Sequence, residues 1–188
     1  MFASSQNSQP GTLAKKNNMY KVKNYGDLNP EPFSDYWERI KNNSKDIPKC
    51  IWENWIHRHW DDFESEWGWI FESKAKFNLC KYNNSEIMSI NHVDDWLSIM
   101  DSRGKLIFTD DYTQNTYLGQ FMLNNGTTPR PIIVSKSNIQ HPHGWQFTSP
   151  IQLIEGHRRL GFLRNMIKNS YNLIADYHYV WEIEINNS

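Results

Sequence analysis

The residues best suited to chemistry stand together at Glu155-Gly156-His157-Arg158-Arg159, a carboxylate, a histidine and two arginines around a glycine. Ahead of them Ile151, Leu153 and Ile154 form a short apolar run bounded by Pro150 and Gly156, the pattern of a strand buried on both faces. After Gly156 the period lengthens: Leu160, Leu163 and Ile167 fall at i, i+3 and i+7, with Phe162 and Met166 widening the stripe, which predicts a helix over 157–168. A helix that opens behind glycine leaves its first N–H groups unpaired, and its macrodipole adds roughly half a positive charge there. The chemistry on offer is therefore anion binding, with phosphate the first candidate and the arginine forks suited to its oxygens. His157, Arg164 and Lys168 share one narrow arc of this helix, with Gly161 between them where a ligand could approach the backbone. Arg158, Arg159 and Arg164 would serve equally as a solvated face or in ordinary ion pairs, and spacing alone leaves both readings open.

Other groups offer less. His57 and His59 lie two apart, which on a helix points them in different directions and makes them poor joint metal ligands. His141-Pro-His143 precedes Gly144-Trp145 in a loop, either within reach of a bound nucleotide or as plain loop histidines. Asp94-Asp95 and Asp110-Asp111 offer oxygens of the kind that hold magnesium beside phosphates, while helix capping accounts for Asp94 and Asp110 equally well. Cys50 and Cys80 have neither metal-ligand nor redox spacing, and no Ser-His-Asp pattern has motif support.

The elements that must position these groups can be read in outline. Residues 1–24, rich in Ser, Gln, Asn and Lys, read as a flexible tail. Phe33, Tyr36, Trp37 and Ile40 are helically spaced behind Asn29-Pro-Glu-Pro32, with Ser34 or Asp35 available to cap. A second helix, opening near Asp46-Ile-Pro48, is expected over Lys49 to Ser73; its stripe is Trp52, Trp55, Ile56, His59, Trp60, Phe63, Trp67, Ile70 and Phe71. Such an aromatic stripe either packs as core or serves as a surface for a protein partner. A strand is expected around Phe77 to Tyr82, another over Glu86 to Ile90 and a third at Leu106-Ile-Phe108. Val93, Trp96, Leu97 and Met100 mark a short helix ending at Arg103-Gly104, and Thr109-Asp-Asp111 stands ready to cap the helix carrying Tyr117, Leu118, Phe121 and Met122. Irregular alternation of strands and helices gives α+β as the class.

Glu155-Gly156-His157-Arg158-Arg159 resembles the signature of the ParB/sulfiredoxin superfamily, whose members place Gly-Glu-Arg-Arg, Asp-Gly-His-His-Arg or Gly-Cys-His-Arg between a strand and a helix. Leu118-Gly-Gln-Phe-Met-Leu-Asn-Asn-Gly126 followed by Pro131-Ile-Ile-Val134 is similar to the family's helix, glycine turn and strand, and Tyr179-Val-Trp-Glu-Ile-Glu-Ile185 resembles its closing strand. The likeness covers about residues 85–185. The Gly126–Pro131 turn is about one residue longer than usual, and Arg130 replaces a common glutamine. The resemblance implies a mixed sheet with packed helices. It also implies a nucleoside phosphate site, ATP and CTP being candidates and Mg2+ a candidate companion, at Gly156, His157, Arg158 and Arg159, with the Gly126 turn and Arg130 on the opposite wall. Sulfiredoxins need an attacking cysteine where His157 stands, so that chemistry is not expected. Partition proteins continue into a helix-turn-helix region and a dimerisation tail, but this chain stops at Ser188, so a DNA role is not expected either. The closest branch is the Asp-Gly-His-x-Arg type, which includes free-serine kinases; here Glu155 replaces the aspartate.

Composition bounds the class. A chain of 188 residues, 38% hydrophobic and with nine each of Trp, Tyr and Phe, can bury a real core. A net charge of -1 gives no global pull toward nucleic acid, so any anion preference must be local. Nothing resembles a membrane span or a secretory leader, and with two cysteines a reduced cytoplasmic setting fits. The organisation read from the sequence is a tail at 1–24, an aromatic helical extension at 25–84 and a ParB/sulfiredoxin-like domain at 85–188. The leading reading is binding of a nucleotide or phosphorylated small molecule. Turnover, as a phosphotransferase or nucleotide hydrolase, stays open; there His157, Arg158 and Arg159 would hold phosphate oxygens, and Glu155 would act as base or metal ligand. The alternative is a non-enzymatic regulatory or immunity-type module that meets a protein partner through the Trp-rich helix.

Overall fold

The computed structural model describes residues 18–44, 46–73, 75–92, 96–136, 139–144, 146–147 and 151–185. They form two compact units, one from the described residues up to Lys76 with Ile185, the other spanning Phe77–Glu184.

In the first unit, helix α1 (Phe33–Ile40) follows Pro32 and turns Tyr36 and Ile40 inward. Neither Ser34 nor Asp35 caps it; Asp35 sits in the first turn, where a carboxylate favours the helix dipole. The segment read as a tail is anchored over its described part, because Tyr20 and Val22 are buried, the Tyr20 hydroxyl donates to Asn43 O at 2.7 Å and the Tyr36 hydroxyl to Tyr20 O at 2.7 Å. The expected continuous helix is instead a series: α2 (Lys49–Ile51), a π-helical turn over Trp52–His57, α3 (Trp60–Trp67) and a 3-10 turn over Gly68–Phe71. His59 breaks the ladder with a non-helical backbone at φ -127° and ψ 45°. The aromatic period survives that break because it reports which side is buried, not which carbonyl each N–H reaches. The stripe is core material. Trp52, Trp55, Trp60, Phe63 and Trp67 are all buried, with Trp52 stacked on Phe71 at 5.4 Å and Phe63 edge-on to Trp55 at 4.9 Å.

Strand β1 (Lys76–Asn83), which lies in the second unit from Phe77 onward, passes straight into α4 (Asn84–Met88). The strand expected at 86–90 is not there. Asn83 Oδ1 accepts the Glu86 N–H at 3.0 Å and Glu86 Oε2 accepts the Asn83 N–H at 2.8 Å, a capping box that starts a helix. Two isoleucines three apart in a five-residue run do not distinguish a strand from a helix. Asn83→Ala should lower stability by about 1 kcal/mol, read as a downward shift in the urea midpoint at unchanged slope.

Helix α5 (Trp96–Gly104) and the short α6 (Leu106–Thr109) follow, the latter replacing the strand expected at 106–108. Val93 and Asp94-Asp95 lie outside the described residues. Asp110 caps α7 (Asp111–Asn115) through the Thr113 N–H at 2.8 Å, and Thr116 caps α8 (Tyr117–Asn125) through the Gly119 N–H at 3.1 Å. Gly126 ends α8 at φ +63°. Then come β2 (Ile132–Ser135), the small antiparallel pair β3 (Ile139–Gln140) and β4 (Gln146–Phe147), β5 (Gln152–Glu155), α9 (His157–Lys168) and β6 (Tyr177–Glu184).

The main sheet has the order β1-β6-β2-β5, with β2 parallel to β6 and antiparallel to β5, so the fold is α+β with a mixed sheet. Its core joins Ile132, Val134, Leu153 and Val180 from the strands to Leu160, Phe162, Leu163 and Met166 from α9. Leu163, expected to face the sheet, is buried. Among the described residues no helix is long and apolar enough to cross a membrane.

Candidate functional site

The expected strand, glycine and helix fall in place as β5, Gly156 and α9. Gly156 takes φ +109°, a region in which side-chain-bearing residues are strained, and an added Cβ would lie 2.6 Å from Ile132 Cγ2. Its missing side chain therefore lets the turn press onto β2. Gly161 is likewise used inside the protein, since a Cβ there would meet Met100 O of α5 at 2.6 Å.

A cavity of about 320 Å3 lies beside this helix opening. From α9 it is lined by His157, Arg158 and Phe162; from α5 and the residues after it by Trp96, Ile99, Met100, Arg103, Gly104 and Leu106. The exposed Arg158 guanidinium lies 5.3 Å from the Phe162 ring centre, a cation–π arrangement that keeps the charge near an aromatic wall. Arg103 brings a second guanidinium to a lining that is otherwise largely apolar.

His157 Nε2 lies 2.7 Å from His92 Nε2, and Trp96 stands 6.0 Å from the His157 ring and 6.2 Å from that of His92. His157 is exposed as a residue, yet desolvation of its ring, followed by the charges of His92 and Arg159, pushes its pKa down to about 4. At neutral pH it is an uncharged imidazole and adds no positive charge to the anion site.

The remaining expected site residues are placed elsewhere. Arg159 donates through Nη1 to Arg130 O at 3.1 Å and Pro131 O at 2.8 Å, and pairs through Nη2 with Glu155. This knot ties the end of β5 to the turn before β2. It takes up the Glu155 carboxylate and most of the Arg159 fork, so both act here as positioning groups; none of Glu155, Arg159 and Arg130 lines the cavity. Gly126 is buried, its O accepts the Ala175 N–H at 3.0 Å, and a Cβ on it would lie 1.7 Å from Leu173 O, so the chain itself covers this turn. Arg164 and Lys168 both hold Asp101 of α5, so that part of the basic arc clamps two helices together.

The other histidines divide between supports and loop. His57 Nε2 bonds with Glu31 O at 2.7 Å. His141 is buried and accepts the His143 N–H at 3.2 Å through Nδ1. His178 is buried between Thr127 Oγ1 at 2.9 Å and Asn84 Oδ1 at 3.0 Å, and burial pushes it down to about 4. A neutral ring satisfies both: Nε2–H donates to the amide oxygen and Nδ1 accepts from the threonine. His92, Trp96, Arg103 and Phe162 were not singled out as site residues in the sequence. Trp96 and Arg103, seven apart on one helix face, and Arg158 and Phe162, four apart, carried the only signal, and it showed a shared face without showing that the two faces meet.

No protein-family model matches this chain, and neither a curated protein nor a solved structure matches it.

Proposed function

We propose that the cavity at the opening of α9 binds a small anionic ligand with a planar or apolar body, a nucleoside phosphate in the first instance. The observation that carries this is the lining itself: two guanidinium groups, Arg103 and Arg158, share one cavity with the aromatic rings of Trp96 and Phe162 at the start of a 12-residue helix. The charges would grip phosphate oxygens and the rings would flank the body. A volume near 320 Å3 is at the small end of ligand sites, which run from about 300 to 1,000 Å3. We infer a ParB/sulfiredoxin-type architecture for the same unit. Supporting it are the strand, glycine and helix at 152–168 and the sheet in which β2 lies between β6 and β5.

The reading is one of binding. Glu155 is paired with Arg159, Asp101 with Arg164 and Lys168, and Asp110 caps α7. These three carboxylates do not fit a magnesium site, so none of them is assigned to Mg2+ and no step is routed through it.

Calorimetric titration with nucleoside mono-, di- and triphosphates tests the proposal. Arg158→Ala should weaken binding about 10- to 150-fold, the equivalent of one charge-assisted hydrogen bond of roughly 1.5–3 kcal/mol, and leave the melting temperature of the free protein unchanged. Arg159→Ala should instead lower that melting temperature with no ligand present, because it leaves Glu155 without its arginine partner. Failure of the wild type to bind any of these phosphates rejects the reading.

A further inference from the structure

The two imidazoles at the edge of the cavity meet through the same ring nitrogen. His92 Nε2 and His157 Nε2 lie 2.7 Å apart, with ring centres 4.7 Å apart and planes inclined at 50°. The two Nε2 atoms are thus aimed into one small volume. If both rings are neutral, one Nε2 carries a proton for the pair to hydrogen-bond; when that ring takes its Nδ1–H tautomer instead, the proton moves to Nδ1 and both Nε2 lone pairs face one metal ion. Zinc–imidazole bonds of about 2.0–2.1 Å put two ligand nitrogens about 3 to 3.4 Å apart, depending on the angle at the metal. The present spacing needs to open by less than 1 Å.

We propose that His92 and His157 form a binding site for a divalent transition metal of the zinc, cobalt or nickel class. The donor set selects the ion. Neutral imidazole nitrogens suit these borderline metals and suit magnesium or calcium poorly, since the latter take oxygen ligands. The Arg159 charge near this pair is compensated by its ion pair with Glu155. Among the described residues no third His, Cys, Asp or Glu side chain joins this pair. His157 belongs both to this pair and to the cavity lining, which places the metal beside the anion site. The proposal does not rest on the nucleotide reading, because the metal alone probes it.

The experiment is a calorimetric titration of the full chain with zinc chloride, in buffer free of nucleotide and phosphate, alongside cobalt(II) absorption in the visible region. The wild type should take up zinc and, with cobalt, develop a ligand-field band. His92→Gln and His157→Gln should each lose that band and weaken uptake by tenfold or more, with melting temperatures equal to wild type in the absence of metal. The double variant His141→Ala/His143→Ala, which alters the other close histidine pair of this unit, with ring centres 5.1 Å apart, should keep both signals. Zinc uptake that is absent in the wild type, or that survives His92→Gln and His157→Gln undiminished, overturns the assignment. So does loss of uptake only in the His141/His143 variant.

Discussion

Replacing Arg164 by alanine is expected to cost about 3–5 kcal/mol, the range for removing one partner of a buried ion pair. Arg164 is 6% exposed and grips Asp101 with two nitrogens, Nε to Oδ1 at 2.8 Å and Nη2 to Oδ2 at 3.2 Å, while Nη1 donates to Met88 O at 2.7 Å. Alanine would leave Asp101 with Lys168 alone and the Met88 carbonyl without this donor, so α9, α5 and the end of α4 would lose their common tie. Arg164→Lys should recover only part, because an ammonium cannot span both carboxylate oxygens. Urea unfolding of the three proteins at one pH reads the difference. Titration supplies an independent check. Partial burial works to raise the Asp101 pKa, but hydrogen bonds from Arg164 and then Lys168 outweigh it and hold the carboxyl below its usual value. A depressed carboxylate stabilises the fold above its unfolded pKa, about 3.9 for Asp, and that stabilisation is lost as pH falls through the lower folded value. The gap between wild type and Arg164→Ala should therefore be full at neutral pH and close below about pH 4. A gap that persists unchanged in acid would mean that Arg164 acts through packing and the Met88 carbonyl, not through the ion pair.

The arc of His157, Arg164 and Lys168 shows what periodicity conveys and what it omits. That these side chains share one face of α9 was legible, because helical spacing fixes direction. What faces them was not: Asp101 lies 63 residues before Arg164 in the chain, and no local pattern links the two. The same limit applies to the glycines. Gly156 and Gly161 stood out as places where a ligand could approach the backbone, but the close neighbours are protein atoms, Ile132 at one and Met100 at the other. β5 and α9 were legible to within about a residue because a buried apolar run, a glycine and an amphipathic stripe agree there. At 86–90 and 106–108 short apolar runs suited either period, and capping by Asn83 or continuity with α5 decided for helix. Of the site, Arg158 and His157 were visible through their position at a helix start. Arg103 and Trp96 became part of it only once α5 was laid against α9, and His92 only through its contact with His157.

That crossing sets the second large effect. Gly104→Ala should destabilise the protein by about 3 kcal/mol or more, although alanine is the better helix former by roughly 1 kcal/mol. A Cβ on Gly104 would stand 2.1 Å from Gly161 O and 2.3 Å from Asn165 Nδ2. Asn165 Nδ2 is itself committed, donating to Asp101 O at 2.9 Å and Gly161 O at 3.0 Å. The obstacle is thus a backbone carbonyl in the middle of the longer helix together with an amide that already bridges the pair, and neither can rotate aside. The helices must separate instead, which loosens the packing of Met100 and Leu163 and strains the Asp101 ties. Ordinary overpacking costs about 1–3 kcal/mol where side chains can give way; here the backbone must, so the cost should reach or pass the top of that range and outweigh the gain in propensity. Gly104 and Met100 also line the cavity, so a ligand held there should bind Gly104→Ala more weakly than wild type even where the variant is fully folded. Thermal denaturation without ligand decides the first point. An unchanged or raised melting temperature would show that α5 and α9 do not cross backbone to backbone at Gly104 and Gly161.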